Sequence, residues 1–171
     1  MDYPEIVDLV NTDPFVQTLL EAPIPMRLGY VGLDGHPRTV PVSYLWNGKA
    51  FVLATPTSAY KVRAIEAHPE VSFTVDTTDF PPLIMLGRGT AAVEIRQGLP
   101  QEHIDASRRA VGPERMPEWE RTKRENTTEM AVITITPTHL TVCDFVTRFP
   151  PPAAVNASTH GADQGSTDTV D

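Results

Sequence analysis

The sequence predicts a mainly β protein, a six- to seven-stranded antiparallel barrel with peripheral helices. Three observations predict it. Apolar residues alternate at period two in segment after segment, tight-turn dipeptides separate the early segments, and helical spacing is confined to a few short stretches. Those stretches do not alternate with strands, which argues against a doubly wound sheet, where each parallel pair needs a crossover.

The elements follow in order. Within residues 1–20 a short amphipathic helix is expected, because Phe15, Val16, Leu19 and Leu20 share a face after Asp13-Pro14, a cap followed by a first-turn proline. Met26, Leu28 and Tyr30 then alternate as a first strand that ends at Asp34-Gly35, a strong hairpin signal. The second strand runs to Trp46. It sends Val40, Val42, Tyr44 and Trp46 to one face and Thr39, Pro41, Ser43 and Leu45 to the other; Pro41, having no N–H to donate, places it at an edge or a bulge. Asn47-Gly48 turns the chain into AFVLAT, apolar enough to be buried on both faces.

A helix from Ser58 to His68 comes next, stopped by Pro69, with Val62 and Ile65 facing inward. Val71, Phe73 and Val75 form the fourth strand. The loop TTDFPP leads to the long strand LIMLGRGTAAVEI, in which Gly87 and Gly89 mark a bend or a close backbone approach. Pro100 to Val111 reads as a helix ended by Gly112-Pro113. PEWERTKREN reads as a charged helix with Trp119 as its main apolar anchor, and MAVITIT and THLTVCDFV as two strands separated by Pro137. From Pro150 onward the proline triplet and the Gly, Ala, Ser, Thr and Asp mixture cannot bury a core, so 150–171 is expected to be a disordered tail behind one folded domain, 1–149.

Composition narrows the function. A length of 171 residues fits one domain. The formal charge of -8 argues against a nucleic-acid or anionic-membrane surface, since phosphate contacts need clustered Lys and Arg. Cys143 is the single cysteine, so no intrachain disulfide forms and a cytoplasmic setting is expected. The start, MDYPEIVDLV, is acidic where a secretory signal is basic, and no apolar run is long enough for a membrane span. The five histidines show no metal-ligand spacing, so no metal is expected; each reads as a turn, helix-end or surface residue, with His36 as a minor candidate at the barrel mouth. Gly-rich nucleotide loops and a nucleophile-elbow serine are absent.

Thr55-Pro56-Thr57-Ser58-Ala59-Tyr60-Lys61 stands apart because it joins a strand end to a helix start. Free N–H groups of a first helical turn, the hydroxyls of Thr55, Thr57 and Ser58, and the Lys61 ammonium together suit a phosphate monoester. The plainer reading is a helix cap at Thr57 or Ser58 with Lys61 as a solvated surface residue.

The wider run RTVPVSYLWNGKAFVLATPTSAYKVRAIEAHPEVSFTVD resembles the core of the pyridoxamine 5'-phosphate oxidase-like flavin and deazaflavin split-barrel superfamily. The shared features are strand, turn, strand, a helix of the form T, S, K, R, the His68-Pro69 helix end, a valine-rich strand and then Gly89-Thr90-Ala91. The resemblance covers roughly residues 10–148. It implies an FMN-binding split barrel and a homodimer with the cofactor in a groove at the interface. The backbone of Arg38, Thr39, Val40, Pro41, Val42 and Ser43 would edge the ring, with Thr55, Ser58 and Lys61 at the phosphate.

Departures matter. Tyr60 stands where the oxidase has an arginine beside the lysine, the later-strand glutamine is missing from Leu83 to Leu86, and the Trp- and Arg-rich C-terminal segment is replaced by CDFVTRFP. These disfavour vitamin B6 oxidation and fit the smaller actinobacterial-type branch, which TTDFPPLIMLGRGTA also resembles. That branch uses FMN or the deazaflavin coenzyme. The anionic tail of the latter would suit a basic groove offered by Lys61, Arg63, Arg88, Arg121, Lys123 or Arg124, whereas the overall charge favours FMN. The resemblance thus implies hydride transfer with a small organic substrate, or a non-catalytic carrier of flavin, deazaflavin or haem on the same fold. Tyr44 and Trp46 are expected in the core or at a pocket wall, and Trp119 as a helix anchor or a cover for the partner chain's cofactor.

Overall fold

Phe51 is fully buried, and its ring centroid lies 4.8 Å from those of Trp46 and Phe73 and 6.1 Å from that of Tyr44. All three contacts are tilted, the geometry that the ring quadrupole favours, and each adds about 0.5–1.5 kcal/mol to plain area burial. The barrel is wound around this aromatic knot.

The computed structural model describes residues 1–149; the expected tail, 150–171, lies outside them. The strands are β1 (Met26–Val31), β2 (Pro37–Val42), β3 (Leu45–Trp46), β4 (Phe51–Thr55), β5 (Glu70–Asp76), β6 (Ile84–Gln97) and β7 (Glu129–Cys143). They form one antiparallel sheet in the order β2-β1-β5-β6-β7-β4-β3. The helices are α1 (Tyr3–Thr12), α2 (Pro14–Glu21), α3 (Tyr60–Ala67), α4 (Gln101–Val111) and α5 (Met116–Asn126). Among the described residues no helix is long and apolar enough to cross a membrane.

The expected second strand is two strands. It breaks at Ser43 and Tyr44, so that β2 and β3 sit at opposite ends of the sheet order although only two residues join them. Period-two alternation runs straight through Tyr44 and hides the break. Tyr44 is wholly buried, and two bonds from Arg109 hold the joint: the guanidinium stands 4.6 Å over the Tyr44 ring and donates to the carbonyls of Tyr44 and Leu20. Pro41 does sit on an edge strand.

The two strands expected around Pro137 are one, the 15-residue β7. Pro137 is absorbed by a register shift: Arg88 faces His139 while Gly89 faces Pro137, so Thr138 is skipped. The bulge at Thr138 adjoins Pro137, and a bulge is where a sheet tolerates a proline. Gly89 permits the close approach, since a Cβ there would lie 2.3 Å from the Thr136 carbonyl oxygen.

The N-terminal segment holds two helices rather than one. Only Ile6 and Val10 of α1 are buried, a stripe narrow enough for its polar neighbours to mask; Asp2 and Glu5 close a capping box at its start. In the α4–α5 layer a second small core joins Leu99, Ile104, Met116 and Met130, with Trp119 at its margin. Met116 is thus the buried anchor of α5, and Trp119 packs 5.5 Å from the His103 ring of its own chain.

After β7 the chain folds back on itself. Asp144 Oδ1 accepts from the backbone N–H of Val146 at 2.9 Å, Thr147 at 2.8 Å and Arg148 at 2.6 Å, with Phe145 in the left-handed region at φ 58. Arg148 then reaches Asp13 Oδ2 at 2.5 Å and covers the Phe15 ring at 4.6 Å. Asp13 is also the cap of α2, through Oδ1 to Phe15 and Val16. One buried carboxylate therefore serves the start of α2 and the turn that follows β7.

Candidate functional site

β4 delivers Thr55 to the start of α3, and α3 begins at Tyr60, two residues later than the sequence suggests. Thr57 and Ser58 do not cap it. They occupy a turn in which the Ala59 N–H bonds to the Pro56 carbonyl at 3.0 Å, and no side chain caps the helix. The Val62 N–H bonds back to the Ala59 carbonyl at 2.9 Å, which leaves the N–H groups of Tyr60 and Lys61 available to an anion. Val62, Ala64 and Ile65 face the core, which fixes the roll of the helix and leaves Lys61 half-buried at its opening turn. Among the described residues Lys61 has no ion pair with a carboxylate. Burial holds its amine below the usual value for lysine. A partly desolvated ammonium beside uncapped helical N–H groups is a donor set that fits a phosphate monoester.

The hairpin of β1 and β2 arrives at the same place. The Leu33 N–H donates to the Tyr60 hydroxyl at 3.0 Å, and the Arg38 guanidinium stands 4.7 Å over the Tyr60 ring while pairing with Asp34 at 2.7 Å. Tyr60, where an arginine was the expectation from the oxidase, thus recruits a guanidinium from β2. The Asp34 pair raises Arg38's pKa further, and a bond from the His36 N–H lowers that of Asp34. His36 itself is exposed in the turn.

The remaining candidates separate by face. Val40 and Val42 are half-buried and pack on the core, while Thr39, Pro41 and Ser43 are exposed on the outer face. Ser43 ends the run beside a cleft of ≈ 150 Å³ that Arg109 also lines. Thr55 is only 5% exposed, whereas Ser58 is exposed. The structure brings Arg38 onto Tyr60, the neighbour of Lys61 in sequence, at the α3 start; residues 39–43 lead away from it. Sequence reasoning missed Arg109 and Tyr60 as the groups that hold these two segments, because both act through contacts 27 to 89 residues apart. Among the described residues no group of three or more His, Cys, Asp or Glu is placed to hold a metal ion.

A seven-stranded antiparallel barrel left open between β2 and β3, with a helix seated after β4, is the split-barrel class of cofactor-binding proteins. The family model described as pyridoxamine 5'-phosphate oxidase matches residues 12–143, and the chain belongs to that family, which binds flavins and includes flavin-dependent oxidoreductases. A search of the curated proteins finds no match. Among solved structures, an F420 reductase is 25% identical with a TM-score of 0.58, covering 73% of this chain and 94% of its own. A conserved hypothetical protein from Mycobacterium tuberculosis is 20% identical with a TM-score of 0.57, covering 93% and 94%. A haem storage protein from Vibrio cholerae is 14% identical with a TM-score of 0.57, covering 76% and 93%, and shares the fold.

Proposed function

We propose that the protein is an FMN- or deazaflavin-dependent oxidoreductase that exchanges hydride with a small organic substrate other than vitamin B6. It would work as a cytoplasmic homodimer in which a second copy completes the cofactor groove. The observation that carries this reading is Lys61: half-buried, without a carboxylate partner among the described residues, at an uncapped helix start that follows Thr55 in the chain. An ammonium in that position is stabilised when an anion supplies the missing charge. The likeness to an F420 reductase favours the deazaflavin over FMN.

In this reading Lys61, the first-turn N–H groups of α3 and the Thr55 and Ser58 hydroxyls hold the phosphate. The backbone of Arg38 to Ser43 lines the ring, with Arg38 braced by Asp34 and Tyr60. The cofactor supplies the electrons; the chain supplies position, hydrogen bonds and exclusion of water. Visible absorption and fluorescence titration of the purified protein with each cofactor test the proposal. One of the two is expected to bind saturably, and its reduced form to be reoxidised by an acceptor in a protein-dependent way. Binding without turnover identifies a carrier; failure of both titrations rejects the reading.

A further inference from the structure

A trough crosses the outer face of the sheet where four strands meet in register. Thr39 of β2 faces Gly29 of β1, Gly29 faces Ser72 of β5, and Ser72 faces Arg88 of β6. Residues opposite one another on antiparallel neighbours share a face, so three polar side chains surround a position that has none. A Cβ on Gly29 would lie 2.5 Å from Ser72 Oγ, so the glycine leaves the floor to that hydroxyl. The space holds ≈ 330 Å³ and is bounded on another side by Glu70.

Two arginines line the trough, Arg38 and Arg88, and among the described residues Arg88 is the one left without a carboxylate. Of the four arginines on strands, Arg27 pairs with Asp76, Arg38 with Asp34, and Arg96 with both Glu94 and Glu102. Among the described residues Arg88 alone of the four has no carboxylate partner. It also stands opposite the bulge at Thr138 of β7, a distortion that re-aims side chains. The Arg88 carbonyl accepts from Thr138 Oγ1 at 3.3 Å, which fixes the backbone beneath the guanidinium. Glu70, the one carboxylate in the lining, is engaged by Thr90 Oγ1 at 3.1 Å.

We propose that this trough binds a flat, singly charged carboxylate through Arg88, with Ser72 and Thr39 as further donors. A planar guanidinium matches a carboxylate with two parallel bonds, which a lysine cannot. The open volume above that hydroxyl leaves room for a planar body, and Glu70 opposes a second negative charge. Thr39 belongs to the run proposed to line the cofactor ring, so reading this ligand as the substrate class rests on the proposed function; the binding itself does not.

Benzoate is the probe, titrated into the purified protein without added cofactor and followed by two-dimensional NMR. Saturable shifts are expected at the amides of Gly29, Thr39, Ser72 and Arg88, with affinity reduced about tenfold or more in Arg88→Gln and partly restored in Arg88→Lys. Absence of saturable shifts at those amides in the wild type, or equal affinity in Arg88→Gln, overturns the site. A parallel cofactor titration separates the two claims. Arg88-dependent benzoate binding with no cofactor binding defeats the proposed function and keeps the trough, whereas cofactor binding with Arg88-independent benzoate binding does the reverse.

Discussion

Replacing Lys61 with methionine keeps the apolar stem and removes the charge, and the structure sets two opposite expectations for it. Toward cofactor, the variant loses a charge-assisted hydrogen bond worth about 1.5–3 kcal/mol, or roughly a tenfold to 150-fold rise in Kd. Toward folding, the sign reverses. The Lys61 pKa is lowered by burial with no carboxylate to offset it, so the unfolded chain binds the proton more tightly than the folded one. Stability of the cofactor-free protein then rises with pH above the folded-state pKa and is lowest where lysine is fully charged, near neutrality. Lys61→Met removes that cost and should leave the cofactor-free protein at least as stable as wild type at about pH 7, with a flatter alkaline limb. Fluorescence titration gives the first quantity and thermal denaturation across pH the second. An affinity within about twofold of wild type, or a clear loss of cofactor-free stability, would show that Lys61 is an ordinary packed surface residue.

Three further outcomes follow from the geometry. Asp144, held below the usual carboxylate range chiefly by its bond from the Thr147 hydroxyl and then by backbone N–H groups, stabilises the fold above the unfolded carboxylate pKa of about 3.9, and that contribution is lost as pH falls further; Asp144→Asn should lower the melting temperature at neutral pH and flatten the acid limb, and an unchanged acid limb contradicts this. Tyr60→Phe deletes the acceptor of the Leu33 N–H, so hydrogen exchange at Leu33 should accelerate while global stability falls by less than about 1.5 kcal/mol; unchanged exchange at that amide counts against the hairpin-to-helix tie. Arg109→Met leaves the Tyr44 and Leu20 carbonyls without their donor and should cost about 1–3 kcal/mol in urea unfolding, an expectation that a neutral result removes.

The fold was legible where the pattern is local. Period-two runs, Asp34-Gly35 and Asn47-Gly48 mark β1 to β4, and Pro41 marks an edge, because these signals depend on the residue's own backbone chemistry. Features set by distant partners were not. The break at Ser43 and Tyr44 depends on Arg109, and the continuity of β7 through Pro137 depends on a glycine in β6. The site divides the same way. Thr55 and Lys61 can be read from the strand-to-helix junction, but Tyr60 seating Arg38 emerges only when hairpin and helix meet. The turn around Asp144 did carry a local signal, an aspartate followed at three residues by Thr147.

The sheet order has a mechanical meaning. Every strand except β2 and β3 is laced on both sides; those two do not pair with each other across the gap between them and are joined through Ser43 and Tyr44. The proposed ring-lining run belongs to one lip of this gap. The proposed phosphate cradle follows β4, which is hydrogen-bonded to the other lip. A ligand touching both would act as the missing rungs of the ladder, so its binding energy would be registered as resistance of the whole barrel to opening rather than as a local tightening.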